Sequence, residues 1–305
     1  MQPSRPPSEP PAQLHASLIP EVLGLAQAAG RVITELYRQH HAAAGAGVGL
    51  PAKGDGSPLT QADLAAHRLI EQGLLALRPE WSVVSEEGEA GATAEDTSDT
   101  SGTSDISDIY WLVDPLDGTR EFLAGNGEFT VNIALVRAGT VLWGVVCAPA
   151  LEQSFWGGRG LGAWQAHGSG TPRELHVAPP PAPGEPWRVV ASRSHLDPAT
   201  QEFMQRLGAT QRVQAGSSLK FCLVAQGQAH VYPRLAPTCH WDTAAGQAVL
   251  EGAGGCVLDL QGRPLRYLDC PGRINPGFVA SCAPIVPGTG AISLHSRSAD
   301  STVAK

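Results

Sequence analysis

The apolar run Ile109-Tyr110-Trp111-Leu112-Val113 leads straight into Asp114-Pro115-Leu116-Asp117-Gly118-Thr119. An apolar run bounded by proline and glycine reads as a buried strand. It delivers Asp114 at the carboxyl end, where the sites of α/β proteins collect. Pro115 bars Asp114 from a helical backbone and is expected to turn the chain. Asp117, three residues on, then shares one concavity with Asp114. Gly118 permits close backbone approach, and Thr119-Arg120-Glu121 is expected to open a short helix whose free N–H groups face an anion. Hard oxygen donors at this spacing suit Mg2+. An Asp-Pro turn followed by a helix cap uses the same residue types, so this stretch alone leaves both readings open.

Three other places carry acidic residues in comparable settings. Glu86-Glu87 follows the short predicted strand in WSVVSEEGE. It reads as an acidic loop in which adjacent carboxylates repel unless solvated or bridged by a cation. Asp242 opens a predicted helix in HWDTAAGQAVLEGAG, where a lone Asp is an ordinary N-cap. Asp63 stands three residues after Thr60, the expected N-cap of another helix, at capping-box spacing. Each has a purely structural account. Capping explains all four together, with the Gly-Thr turn, poorly.

Composition narrows the class of function. A net charge of -8 on 305 residues argues against a coat for nucleic-acid polymers, which needs excess Lys and Arg. A small anionic ligand stays open, because a bound cation inverts the local field. The six cysteines, Cys147, Cys222, Cys239, Cys256, Cys270 and Cys282, are dispersed without a C-x-x-C pair and read as buried thiols of a reducing compartment. No apolar run approaches the roughly 20 residues of a membrane span. The expectation is a soluble, cytoplasmic protein with no transmembrane segment.

Along the chain, residues 1–13 read as a flexible tail. Residues 14–177 read as an α+β metal-binding subdomain, interrupted at 90–108 by a mobile acidic, Ser/Thr-rich loop. A Pro-rich linker at 178–186 leads to an α/β substrate-recognition subdomain at 187–284, and 285–305 form a second tail. Val22, Leu25, Ala26, Ala29, Val32, Ile33 and Leu36 recur at helical spacing, as do Leu64, Ile70, Leu74 and Leu77. Thr130–Val136 and Val141–Ala148 read as strands joined by the turn Arg137-Ala138-Gly139. From WRVVAS to CVLDL, strands and helices alternate, giving an α/β fold class.

Three segments of the second half suit anions. Ser192, Arg193 and His195, in SRSH, follow the strand WRVVA. Gly216, Ser217, Ser218 and Lys220, in GSSLK, form a small-residue turn entering a helix, suited to cradling a second phosphate or bonding a nucleoside. Arg234, in VYPRLAP, can grip a phosphate with its planar fork. A solvated loop and a surface helix account for the first two segments equally simply.

Taken in order, KGDGSPLTQADLAAHRLI, VVSEEGE, WLVDPLDGTREF and HWDTAAGQAVLEGAGG resemble the magnesium-dependent, lithium-sensitive phosphatases related to inositol monophosphatase. NGEFTVNIALV, SRSH, GSSLKFCLVAQGQAHVYPR and NPGF are similar to one branch, the CysQ-type 3′(2′),5′-bisphosphate nucleotidases. The resemblance implies a five-layer αβαβα sandwich. It implies Mg2+ as cofactor, two or three ions, held by Glu86, Asp114, the Leu116 carbonyl, Asp117 and Asp242. It makes Asp63 and Thr119 the catalytic pair that orients and deprotonates the attacking water. Gly118 and Thr119 receive the scissile phosphate, and Ser192, Arg193, His195, Gly216, Ser217, Ser218, Lys220, Arg234 and Asp242 contact the substrate.

The implied substrate is a small nucleotide bisphosphate, adenosine 3′,5′-bisphosphate, cleaved to adenosine 5′-monophosphate, with 3′-phosphoadenylyl sulfate also accepted and a role in sulfate assimilation. The resemblance further implies a monomer or homodimer, and for some relatives a peripheral position at the inner face of the cell membrane. Two alternatives stay open: hydrolysis of inositol-1-phosphate or fructose-1,6-bisphosphate, and a catalytically silent nucleotide sensor. The intact carboxylate set and the Asp63/Thr119 pair weigh against the sensor, which has no need to activate water.

Overall fold

The chain is described here by a computed structural model covering residues 15–45, 58–90, 108–191, 197–268 and 273–285. Helical spacing of Val22, Ala26, Ala29 and Ile33 builds α1 (Ile19–Gly45), and Ala62, Ala66, Ile70 and Leu74 form the buried stripe of α2 (Pro58–Leu77). Both stripes pack on one face of a seven-stranded sheet. Its strands are β1 (Ser82–Ser85), β2 (Ile109–Asp117), β3 (Thr130–Arg137), β4 (Thr140–Ala148), β5 (Gln153–Gly158), β6 (Gly162–His167) and β7 (Arg173–Glu174), in sequence order. Only the β1–β2 pairing is parallel.

The central strands are apolar at nearly every position because both faces are covered. Trp111, Val113, Ile133, Leu135 and Val145 meet α1 and α2. Their neighbours Tyr110, Leu112, Ala134, Val136 and Val146 point the opposite way into a second core, as the two-residue period of a strand requires.

That second core is filled by α6 (Leu219–Ala225) and α7 (Ala244–Gly252). Beyond these helices lies a five-stranded mixed sheet made of β8 (Trp187–Ala191), β9 (Thr210–Gln214), β10 (Val231–Arg234), β12 (Cys256–Asp259) and β14 (Phe278–Ser281). Its order is β12-β14-β10-β8-β9. The outer face is covered by Phe203 and Met204 of α5 (Pro198–Arg206) together with Leu207, packed on Trp187, Val189, Val231 and Val279. A ribbon of β11 (Thr238–Cys239) and β13 (Ile274–Asn275) lies outside both sheets. The layers therefore run helices, sheet, helices, sheet, helix: the five-layer αβαβα sandwich.

Several local expectations are corrected. The chain does not turn at Pro115; β2 runs on to Asp117 through a register shift between Asp114 and Asp117. A bulge accommodates a residue with no ladder N–H, which is why the proline does not end the strand. Thr60 is not an N-cap, since α2 already begins at Pro58, a residue suited to the first helical position. Glu86 and Glu87 open a short helix, α3 (Glu86–Ala90), instead of a loop. Apolar patterning does not reveal β5–β7, β9 and β14, which carry glycines or polar residues among their apolar ones or are too short to show a period.

The tail 1–13, all but Ile285 of 285–305, the interior of the 90–108 segment, and Ser192, Arg193 and His195 lie outside the described residues. Among those described, no helix is long and apolar enough to cross a membrane.

Phe221 of α6 is the side chain on which the middle layer closes. It stacks on Phe278 at 5.4 Å between centroids and meets Tyr232 edge-on at 5.2 Å. Truncation to Ala should cost about 3–5 kcal/mol, read as a lower denaturant midpoint with unchanged slope.

Candidate active site

Asp114 is 1% exposed in the bulge of β2, where the Leu116 N–H donates to its Oδ1 at 3.0 Å. At the strand's end, Asp117 Oδ2 accepts from Thr130 Oγ1 and Asn132 Nδ2, both at 3.3 Å. Gly118 then takes φ 97°, a left-handed conformation that glycine adopts without penalty. A Cβ there would also collide with Ser217 Oγ. The reversal starts α4 (Thr119–Ala124), as expected from Gly-Thr.

Hydrogen bonds tie this strand end to the second half of the chain. Ser217 Oγ donates to the Asp117 carbonyl at 2.9 Å. Asn132 Nδ2 donates also to Ser218 Oγ at 3.0 Å, and Ser218 Oγ donates to the Asp242 carbonyl at 2.8 Å. Asp242 stands just ahead of α7 and does not cap it with a side-chain bond. Its Oδ2 accepts from Thr238 Oγ1 and, at 3.1 Å, from the Cys239 N–H.

The carboxylates so placed strain one another. Burial raises the Glu86 carboxyl from 4.5 to about 7, with further contributions from Asp242, Glu87 and Asp117. Burial and then the charge of Asp117 raise Asp242 from 3.8 to about 6. Asp114 lies well above the usual range through burial, Glu86, Asp117, Asp242 and Asp63. Asp117 is raised by burial, against the opposing charge of Lys220. Among the described residues, no three His, Cys, Asp or Glu groups form a ready-made ligand set; the carboxylates hold to neighbouring hydroxyls and amides instead. They remain near enough to repel, and a cluster of hard carboxylate oxygens fits a divalent cation such as Mg2+.

A cavity of about 740 Å3 opens at this point, well within the size of small-molecule sites. It brings together Asp117, Gly118, Thr119, Ser217, Lys220, Arg234 and Asp242 of the sequence-predicted set. Gly216 and Ser218 lie buried behind its wall, and Glu86 and Asp114 act on the wall carboxylates through their charge. Asp63, 6% exposed on α2, is felt by Asp114. Lys220 is 7% exposed with its ammonium over Tyr232, 5.5 Å from the ring centroid. Burial lowers its pKa, while Asp117 and Glu121 oppose the shift. Arg234 is held at the wall by Nε and Nη2 donating to the carbonyls of Ala236 and Pro237, at 3.3 and 3.1 Å. Sequence reasoning missed Thr130, Asn132, Thr238 and Glu121, and also Asp197 and Thr200, which line the cavity.

A layered αβαβα fold with an acidic, anion-sized cavity defines a phosphatase-like site. The family model for the inositol monophosphatase family matches residues 16–283, and the chain belongs to that family, whose phosphatases use metal ions. It is 43% identical over 266 residues to the 3′(2′),5′-bisphosphate nucleotidase CysQ of Escherichia coli K12, covering 87% of this chain and 99% of that protein. It is 46% identical over 228 residues to the CysQ of Salmonella typhimurium, covering 74% and 86%. The crystal structure of CysQ from Bacteroides thetaiotaomicron superposes with a TM-score of 0.70 at 34% identity, over 88% of this chain and 98% of that one. Inositol monophosphatase II from Staphylococcus aureus, at 22% identity over 87% and 89% of the two chains and TM-score 0.66, shares the fold.

The raised carboxyls set a pH dependence. The native state binds more protons than the unfolded chain between about pH 4 and about pH 7, so metal-free stability should fall as pH rises through that window. Thermal melting in chelator should show this fall, and Mg2+ should restore the melting temperature above about pH 7. A melting profile indifferent to both would remove the charge repulsion argued here.

Proposed function

We propose that the chain is a 3′(2′),5′-bisphosphate nucleotidase that hydrolyses the 3′-phosphate of adenosine 3′,5′-bisphosphate to adenosine 5′-monophosphate and phosphate. By the same reading it also accepts 3′-phosphoadenylyl sulfate and serves sulfate assimilation. The observation that carries this is a single cavity whose wall holds Asp117 and Asp242 together with Lys220 and Arg234. One end suits a phosphate met through a cation, and the cationic side chains suit a second anionic group. The similarity to nucleotidases over most of this chain supports the same choice.

In this reading Glu86, Asp114, the Leu116 carbonyl, Asp117 and Asp242 would hold Mg2+, in two or three ions. Once bound, Mg2+ neutralises phosphate charge and makes water more acidic. Asp63 and Thr119 orient the attacking water and take its proton. Gly118 and Thr119 seat the scissile phosphate, with Ser217 fixing the turn from behind. Water adds to phosphorus as the bond to the ribose 3′-oxygen breaks, and the departing alkoxide takes a proton from solvent. Phosphoryl transfer of this kind needs alignment and charge compensation more than a covalent intermediate. Arg234 and Lys220 hold the 5′-phosphate, and Ser192, Arg193 and His195 are assigned to the substrate by the family resemblance. Gly216 and Ser218 shape the turn, and Asp242 contacts both cation and substrate.

Asp63→Asn should retain nucleotide binding and lose about 100-fold or more in kcat. Unchanged turnover per folded molecule would return Asp63 to a structural role. Arg234→Glu should raise KM for the bisphosphate about 10- to 100-fold while the Mg2+ dependence stays in place; equal loss of both would count against the 5′-phosphate assignment. A substrate panel tests the reading as a whole. Higher kcat/KM on inositol-1-phosphate or fructose-1,6-bisphosphate than on the nucleotide would overturn it.

A further inference from the structure

A carboxylate stands where the proposed chemistry has no use for one. Glu121, half-buried in the first turn of α4, lines the same cavity as Gly118, Ser217 and Lys220. A bisphosphate brought there carries several negative charges, so an additional anion in the wall needs a reason.

The placement of Glu121 is built into the fold. A Cβ on Gly216 would collide with Glu121 Cγ and come within 2.9 Å of Cδ, so the glycine leaves the space that the glutamate stem fills. The loop itself is held separately, by the Gly216 N–H donating to Glu128 Oε2 at 2.9 Å. Glu121 Oε2 lies 3.2 Å from where a Cβ on Gly118 would stand. That sets the oxygen beside the turn assigned to the scissile phosphate. Among the described residues no side chain donates a hydrogen bond to this carboxylate. The Lys220 ammonium feels its charge.

An ionised carboxylate can only accept hydrogen bonds. Next to the scissile phosphate, the ribose offers one donor at short range, the hydroxyl on the adjacent ring carbon. We infer that Glu121 accepts a hydrogen bond from the ribose hydroxyl vicinal to the scissile phosphate, and that it is a specificity-determining residue selecting ribonucleotides over their deoxy analogues. The inference rests on the nucleotidase reading above. It also gives a physical reason for one site to take either isomer: a 3′-phosphate leaves the 2′-hydroxyl vicinal, and a 2′-phosphate leaves the 3′-hydroxyl vicinal.

The test compares kcat/KM for adenosine 3′,5′-bisphosphate and for 2′-deoxyadenosine 3′,5′-bisphosphate. The parent enzyme should prefer the ribonucleotide about 10- to 100-fold, the range of a hydrogen bond to a charged group. In Glu121→Ala that ratio should fall to near one, and in Glu121→Gln to an intermediate value. Glu121→Gln keeps the stem against Gly216 and carries the test if the alanine variant melts early. A side chain with only a structural role would lower both substrates alike and leave the ratio in place, which would overturn the assignment. Equal use of both nucleotides by the parent enzyme would overturn it too, with the nucleotidase reading intact. Hydrolysis of neither nucleotide would overturn that reading and this inference together.

Discussion

Four carboxyl groups repelling one another in a poorly solvated place are the constraint on which the rest of the molecule turns. Glu86, Asp114, Asp117 and Asp242 come from three separate regions of the chain; burial raises all four, and the charges of the others add to the rise for Glu86, Asp114 and Asp242. Left to themselves, such groups would protonate or move apart. The fold holds them with short polar tethers: Thr130 and Asn132 on Asp117, Thr238 and the Cys239 amide on Asp242, the Leu116 amide on Asp114. A cation converts the same repulsion into binding energy, so the site and its instability have one origin.

The layers make this arrangement possible. α6 and α7 lie between the two sheets, and the residues leading into them, Ser217, Ser218 and Asp242, face the end of β2. Asn132, 1% exposed, bonds both to Asp117 and to Ser218. A displacement of the middle helices would therefore be felt at the carboxylates as well as in the core. The cavity draws also on the second sheet, through Arg234 at the end of β10, and on α5, through Thr200.

Much of the candidate site is legible in the sequence, for a physical reason. Asp114, Asp117, Gly118 and Thr119 sit within six consecutive residues, so local spacing alone brings them together. Asp63, Glu86 and Asp242 showed as acidic residues at element boundaries in excess of what capping requires. The tethers were not legible. Asn132 follows Asp117 by 15 residues and precedes Ser218 by 86, and only the pairing of β3 with β2 and the docking of α6 make them neighbours. Pro115 was misjudged because the rule for the residue before a proline constrains backbone torsion but cannot tell a turn from a bulge. Periodicity does not reveal β5 to β7, because glycines and polar residues interrupt the continuous apolar run that marks a strand covered on both faces. Glu121 looked like an ordinary first-turn acid until the cavity gave it a setting.

The central claim is that the carboxylate cluster is a metal site serving phosphate-ester hydrolysis. Its most direct test is phosphate release from adenosine 3′,5′-bisphosphate, followed against Mg2+ concentration for the parent protein and for Asp114→Asn. The account predicts turnover that rises with Mg2+, disappears in chelator and is lost in the variant at any Mg2+ concentration. Turnover that persists in chelator, or an Asp114→Asn protein as active as the parent, would contradict it.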